Sequence, residues 1–560
     1  MVRHRAAFTA VALSAVVSLS LGGSSARATA PRRAVRGVSP GGTRAGRVTA
    51  DFNGDGFADV AVSALYASAP GAAQAGGVDV IYGGPAGLQS TSPAPQWWTS
   101  ASPGMPTAAQ AGEQFGWSLA SGDYNADGST DLAIGVPRFD VNGKTDPGGV
   151  IVLYGGAQGL QTASPPAQVF TGDTPGMPSP AQAGALFSRY LISGDFNGDG
   201  VADLAIGAPR AAVASLSEAG EVYVLSGVGG VGLQASNPAA QLWTQNSPGM
   251  PMPAAAGAWF GRSLAAGDVN GDGYADLAVG APLESVVYQT RTVQQAGVVF
   301  VLYGGSNGLQ GADPPIQSWS KGAPGLRGGR PQKSEYFGHN LAIGDFNDDG
   351  YADLASGNRH SSVGTYSNTG SVSVLYGGSK GLQTDNPANQ YWSLSSSGMP
   401  AAPESGTQFG FFVVGADFNG DSYADLAVGA PFYDLPSLGD SGGAVILYGG
   451  PAGLQTASPP AQFWNQTSPH IQGTPQVGAL FGSNLDANDY NGDGTADISI
   501  GVIKEDLPGP IVDAGATNVL YGVPGGGIQT DSPPNQVWNE SSPGIPNPPV
   551  AGDEFGWWLA

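Results

Sequence analysis

The stretch DFNGDGFAD at residues 51–59 decides how the rest of this chain is read. Near copies follow at 123–131 (DYNADGSTD), 195–203 (DFNGDGVAD), 268–276 (DVNGDGYAD), 345–353 (DFNDDGYAD), 417–425 (DFNGDSYAD) and 489–497 (DYNGDGTAD). Their first Asp residues are 72, 72, 73, 77, 72 and 72 positions apart. Self-similarity at such a period marks a repeat architecture, in which each unit buries its apolar face against its neighbours.

Other marks keep the register. A Phe-Gly pair precedes the first Asp by eight residues, at Phe115, Phe260, Phe337, Phe409 and Phe481, and Phe187 holds that place with Ser188 after it. Gly-Ala-Pro or a near copy starts twelve residues after the Asp, at Gly135, Gly207, Gly280 and Gly429. A Leu-Tyr-Gly-Gly turn follows, as at Leu153–Gly156, and then an aromatic residue, as at Trp243, Trp319, Trp392, Trp464 and Trp538. Between these marks lie short apolar or alternating runs bounded by Gly and Pro, such as Leu204–Gly207, Glu221–Leu225 and Gln241–Thr244. Such runs read as strands. Four per repeat over seven repeats predict an all-β fold, a seven-bladed β-propeller with four-stranded blades. A β-solenoid would need shorter repeats. The glycine and proline content, 90 and 44 of 560 residues, alone suggests a flexible polymer, but 11 Trp, 19 Tyr and 20 Phe supply cores and point to turn-rich β structure instead.

The ends predict closure. Phe555-Gly556-Trp557-Trp558-Leu559-Ala560 matches Phe115-Gly116-Trp117-Ser118-Leu119-Ala120, while the first repeat starts with Val48-Thr49-Ala50 and lacks that segment. Pairing of the two terminal segments would close the ring and leave no open sheet edge.

The repeated loop has the chemistry of a calcium site. Asp51, Asn53, Asp55 and Asp59 place side-chain oxygens at positions 1, 3, 5 and 9, and the carbonyl of Phe57 is available at position 7. Ca²⁺ takes six to eight oxygens in flexible geometry, whereas Mg²⁺ keeps more water. An EF-hand would carry Glu at position 12, but Val62 stands there, so the loop joins strands rather than helices. Three Asp in each of seven loops account for 21 of the 44 acidic residues, and the remaining 23 nearly balance the 21 Lys and Arg. The net charge of -23 is therefore concentrated in these loops. Carboxylates crowded this way repel one another without a cation. Good turn-forming residues alone would not require Asp at positions 1, 5 and 9 in every copy.

Phe-Gly, the nine-residue loop and Gly-Ala-Pro together resemble the FG-GAP repeat of the integrin α-subunit propeller, over about residues 48–560. The resemblance implies up to seven structural Ca²⁺ ions, one per repeat. It carries the ligand positions onto Asp123, Asn125, Asp127, Ser129 and Asp131, and onto Asp195, Asn197, Asp199, Val201 and Asp203. The fourth and fifth loops supply Asp268, Asn270, Asp272, Tyr274 and Asp276, then Asp345, Asn347, Asp349, Tyr351 and Asp353. The last two supply Asp417, Asn419, Asp421, Tyr423 and Asp425, then Asp489, Asn491, Asp493, Thr495 and Asp497. Position 7 contributes its main-chain carbonyl throughout. Departures occur at Gly357-Asn358-Arg359, Ser63-Ala64-Leu65 and Gly501-Val502-Ile503 in place of Gly-Ala-Pro, and at Ser422 in place of Gly.

Residues 1–28 read as a signal peptide: Arg3, His4 and Arg5 precede the apolar run Ala6–Leu21, and Ala26-Arg27-Ala28 offers a cleavage point. That run is shorter than the roughly 20 residues that span a bilayer. Residues 29–47 read as a flexible basic, Gly-rich segment, and 48–560 as the propeller. A secreted, extracellular protein follows as the expectation, without disulfides because there is no Cys. The acidic balance argues against a nucleic-acid partner.

Beyond the leader only His339, His360 and His470 remain, and the repeats consume the chain, so no enzyme is expected. Gly227, Gly229 and Gly232 spell a dinucleotide-type spacing but occupy the turn of the repeat and open no helix. An extracellular adhesion or protein-binding module is the expected function; the alternatives are a carbohydrate-binding propeller and, behind it, an extracellular enzyme. The array is least regular at Leu283–Gln295 and Lys321–Ser334. Arg291, Lys321, Arg327, Arg330, Lys333 and Arg359 cluster in that part of the sequence as a candidate surface for an anionic protein or glycan, or as a solvated insertion without a partner.

Overall fold

A computed structural model describes residues 50–509 and 511–560. The expected leader, the basic segment and the first two residues of the propeller span lie outside the described residues. Within them there is no helix, and the strands form seven four-stranded antiparallel blades around a common channel.

Each blade is built from the runs seen in the sequence. The second blade has the order Leu119–Gly122, Asp131–Val136, Gly149–Leu153 and Gln168–Phe170. The second and third of these are buried along their whole length, every residue on both faces. That explains why they read as continuous apolar runs: each blade is covered by a neighbour on either side. The aromatic residues of the outermost strands are half-buried to buried, and Trp98 donates through Nε1 to Gln96 of its own strand at 3.4 Å.

The first strand of each repeat is the innermost. Leu119–Gly122, Tyr190–Gly194, Ser263–Gly267, Asn340–Gly344, Val413–Ala416 and Phe481–Asn488 line the channel for the second to seventh blades. The first blade contains Val60–Ala64, Gly77–Ile81 and Gln96–Trp98 and takes its innermost strand from the chain's end, Phe555–Leu559. Val62 stands opposite Leu559 and Ala64 opposite Phe555, and Ala61 exchanges amide hydrogen bonds with Ala560 at 2.8 and 3.1 Å. The closure expected from the matched ends is thus present.

Two features hold the blades to one another. The Gln that opens each outermost strand donates its amide to a main-chain carbonyl of the next blade, as Gln96 does to Leu160 (3.1 Å) and Gln390 to Leu454 (2.9 Å). In the last blade Gln536 donates to Leu88 of the first at 2.9 Å, completing the circuit. The second feature explains why Phe-Gly and Gly-Ala-Pro travel together. The Gly of one blade's Gly-Ala-Pro lies under the Phe-Gly of the next: a Cβ on Gly429 would sit 2.1 Å from the Gly482 carbonyl oxygen. No side chain fits that approach.

Blade four is less irregular than its sequence suggests. The Leu283–Gln295 stretch folds on itself as a hairpin, Val286–Tyr288 with Arg291–Val293.

Candidate metal-binding loops

Six of the seven innermost strands run directly into an acidic loop, as Leu119–Gly122 runs into Asp123, and the first loop, Asp51–Asp59, leads into Val60–Ala64 just as the others lead into their own second strands. All seven loops therefore gather at the same end of the channel. They also touch one another in a ring. The amide of position 8 donates to the carbonyl of position 1 in the preceding blade: Thr130 to Asp51 (2.8 Å), Ala202 to Asp123 (3.1 Å), Ala275 to Asp195 (3.0 Å) and Ala352 to Asp268 (2.9 Å). Ala424 to Asp345 and Ala496 to Asp417 follow at 2.9 Å, and Ala58 to Asp489 closes the ring at 3.0 Å.

Within a loop the carboxylates have different work. Asp51 accepts the amides of Asp55 (3.0 Å) and Gly56 (2.8 Å), and Asn53 Oδ1 accepts the Asp55 amide at 2.8 Å. Asp55 accepts the amide of Phe57 at 3.0 Å and is exposed. These bonds curl the loop so that positions 1, 3 and 5 face one another. Position 9 is buried and clamped. Asp59 accepts the Phe52 amide at 2.8 Å and the Gly83 amide at 2.9 Å, so it ties the loop to the turn between the blade's outer strands. The same pair of bonds recurs at Asp131, Asp203, Asp276, Asp353, Asp425 and Asp497. The sequence reading took position 9 only as a ligand and missed this clamp. Its signal was a Gly 24 residues downstream in five blades, as Gly83 from Asp59, and 28 and 25 residues downstream in the fourth and seventh.

The electrostatics are severe. Burial pushes the Asp59 carboxyl well above its usual range; the Gly83 and Phe52 amides pull it back, and the charges of Asp51 and Asp55 push it up again. Asp131 and Asp203 are pushed up to about 8, first by burial. Among the described residues no Lys, Arg or His forms an ion pair with any of these loop carboxylates. Nor, among the same residues, do three or more His, Asp or Glu side chains form a metal-ligating group by themselves. The donor set available to a cation is mixed oxygen: carboxylates of positions 1, 5 and 9, the Asn amide and the position 7 carbonyl. An all-oxygen set of this kind fits a hard divalent cation.

The basic residues singled out from the sequence do not form one surface. Arg291, Arg327, Arg330 and Lys333 are exposed. Lys321 is fully buried, 3.3 Å from the equally buried Glu335, and lies 4.2 Å from the Tyr391 ring centre. Arg359 is half-buried and lines the other end of the channel. Proximity in sequence misled here because the Lys321–Ser334 loop folds its lysine inward to an acid.

Six segments, 39–81, 115–153, 191–225, 260–302, 337–375 and 409–448, match the family described as FG-GAP repeat. The chain is an FG-GAP repeat protein. Its seventh blade has the same strands and loop bonds without being among the matched segments. This FG-GAP protein is 31% identical over 194 residues to the phosphatidylinositol-glycan-specific phospholipase D of Bos taurus, covering 35% of this chain and 21% of that one. It is 36% identical over 174 residues to integrin alpha-IIb of Homo sapiens, covering 31% and 15%. The chain thus spans about a fifth or less of the length of the curated relatives it matches. A mutant of AofleA from Arthrobotrys oligospora superposes with a TM-score of 0.35 at 11% identity, over 75% of this chain and 86% of that one. The shared repeat occurs both in a protein named as a phospholipase and in integrin subunits. Among the described residues no helix is long and apolar enough to cross a membrane.

Proposed function

We propose that the seven loops bind Ca²⁺ and that the propeller serves outside the cell as an adhesion or protein-binding module, not as an enzyme. The observation that carries the calcium half is the set of crowded loop carboxylates with no cationic partner among the described residues. Bound Ca²⁺ would neutralise that charge and brace each blade against the next through the ring of loop contacts. Positions 1, 3, 5, 7 and 9 of each loop would hold it. The binding half rests on the repeats shared with integrin subunits and on the leader-like first residues. His339 is buried, the half-buried His360 stacks on Tyr336, and His470 pairs with Asp531 at the surface. The exposed Arg291, Arg327, Arg330 and Lys333 would meet an acidic partner surface.

Thermal unfolding with Ca²⁺ and with chelator tests the first half. A cation bound at a hundredfold above its Kd contributes about 2.7 kcal/mol per site, so the midpoint must fall on chelation. An unchanged midpoint would overturn it. Pull-down from extracellular fractions in Ca²⁺ tests the second half: a retained protein lost with Arg327→Glu/Arg330→Glu is expected. Retention unaffected by that pair removes the surface from the proposal.

A further inference from the structure

Opposite the acidic loops the channel opens into a cavity of about 620 Å³. Each blade supplies its wall with the residue that follows Phe-Gly (Phe-Ser in the third blade): Trp117, Arg189, Arg262, His339, Phe411, Ser483 and Trp557. Arg359 joins them from the position where four other blades have Pro. Pockets of roughly 300–1,000 Å³ hold small molecules.

The wall is aromatic and cationic. The guanidinium of Arg189 lies 3.8 Å over Trp117, and that of Arg262 4.7 Å over Tyr190. Arg359 lies 5.4 Å from the Phe411 ring and 5.8 Å from Tyr336. Trp117 and Trp557 are in contact at 5.0 Å, and Trp558 packs edge-on against Tyr190 and Phe412. Three arginines on such a small perimeter need counter-charge. None has an ion pair among the described residues. Glu554, the acid in the wall, is 3.6 Å from Lys504. Arg262 Nη1, Arg359 Nε and His339 Nδ1 are buried without a hydrogen-bond partner. Burial, and then the charge of Arg262, bring Arg189 down to about 9 and Arg359 to about 10. Unpaired buried donors of this kind are costly unless a ligand completes them.

We propose that this mouth binds an oxyanion carried on a six-membered ring, with the anion on Arg189, Arg262 and Arg359 and the ring against Trp117 and Trp557. The guanidinium fork matches carboxylate and phosphate oxygens. The aromatic faces accept either a sugar ring or an aromatic ring, so sugar acids and aromatic acids are two sources of one chemistry. The site is independent of the loops and of the protein-binding reading.

Tryptophan fluorescence of the intact protein in Ca²⁺ reads binding directly, because Trp117, Trp259, Trp557 and Trp558 line the cavity. The probes are galacturonate with its neutral analogue galactose, benzoate with benzyl alcohol, and inorganic phosphate. We expect one acid to saturate with a Kd at least about tenfold below that of its neutral analogue, which is about 1.4 kcal/mol. Arg359→Gln and Arg262→Gln should each weaken it by about tenfold or more, with Arg291→Gln as the unaffected control. Tighter galacturonate assigns a sugar acid, and tighter benzoate an aromatic acid. No saturation by either acid, equal binding of the neutral analogues, phosphate bound as tightly as the acids, or wild-type binding by both mouth variants would overturn the proposal. Should one variant unfold, the other decides.

Discussion

The innermost strands end differently at the two mouths of the channel. At one end six of them run into acidic loops and a seventh such loop leads into the first blade; Asp, Asn, Asp and Asp recur at positions 1, 3, 5 and 9 of all seven. At the other they begin with Trp, Arg, Arg, His, Phe, Ser and Trp. The loop end is repetitive because each loop is bonded to the loop before it and to its own blade, so a change in one strains two blades. The mouth residues line the cavity wall and meet their neighbours through side chains, as Arg189 does Trp117 and Arg262 does Tyr190, so their chemistry can differ from blade to blade. Regularity here marks what the ring needs to hold together, and irregularity marks where it can meet something else.

Chelation should separate the ends most strongly. Removing divalent cations is expected to lower the unfolding midpoint through several sites at about 2.7 kcal/mol each, measured by calorimetry. Tryptophan emission from the mouth, read below that midpoint, should change little. Collapse of both signals together at low temperature would show that the two ends are one cooperative element.

Two substitutions in the sixth loop sharpen the division of labour among its acids. Asp425 accepts the Phe418 amide at 2.8 Å and the Gly449 amide at 2.7 Å and is fully buried. Asp425→Ala leaves both amides unsatisfied and should cost about 2–4 kcal/mol even in chelator, and more in Ca²⁺, by chemical denaturation. Asp421→Asn at position 5 should cost stability in Ca²⁺ and almost nothing in chelator. Equal behaviour of the two variants would erase the distinction between clamp and ligand.

The repeat, its period, the blade count and the closure were legible because each is written several times over. Phe555–Ala560 could be matched to Phe115–Ala120 by eye. The contacts between blades were not legible. Gln96 and Leu160 are 64 residues apart and carry no local pattern that pairs them. The oxygen-bearing residues of the loops could be read, but not the clamp at position 9, whose partner lies two strands away. The mouth was hidden for a further reason. Its residues sit at a fixed offset, but they share no chemistry from blade to blade, and only the fold brings Arg189, Arg262 and Arg359 together. The cationic group inferred from sequence proximity lost two members, because Lys321 turns inward to Glu335 and Arg359 lies in the channel wall.

The seam where the chain's ends meet offers a pH test that neither end should share. Asp79, Glu540 and Asp553 are buried together there; burial, and then the charges of Asp553 and Asp79, hold Glu540 far above its usual 4.5. The folded state therefore keeps a proton that the unfolded chain releases. Stability from this group is complete below pH 4.5 and falls as pH rises toward the raised value. Glu540→Gln mimics the protonated form and should recover on the order of 1 kcal/mol at pH 8, with little change at pH 4. A variant as pH-sensitive as the parent would place the seam's proton elsewhere.

The smallest expected effect is the most diagnostic of the comparison. Arg262 touches Tyr190 and His339 but no carboxylate, and its charge weighs on Arg189 and Arg359. Replacing a structural cation would expose an acid to burial without a partner and cost several kcal/mol. Arg262→Gln strands no acid and relieves two like charges. Its unfolding free energy without ligand should stay within about 0.5 kcal/mol of the parent, and a small gain is the natural sign. A loss of 2 kcal/mol or more would mean that the mouth arginines support the ring as the loop carboxylates do. The two ends of the channel would then differ in charge alone, and the irregular residues of the mouth would need a structural explanation instead of a ligand.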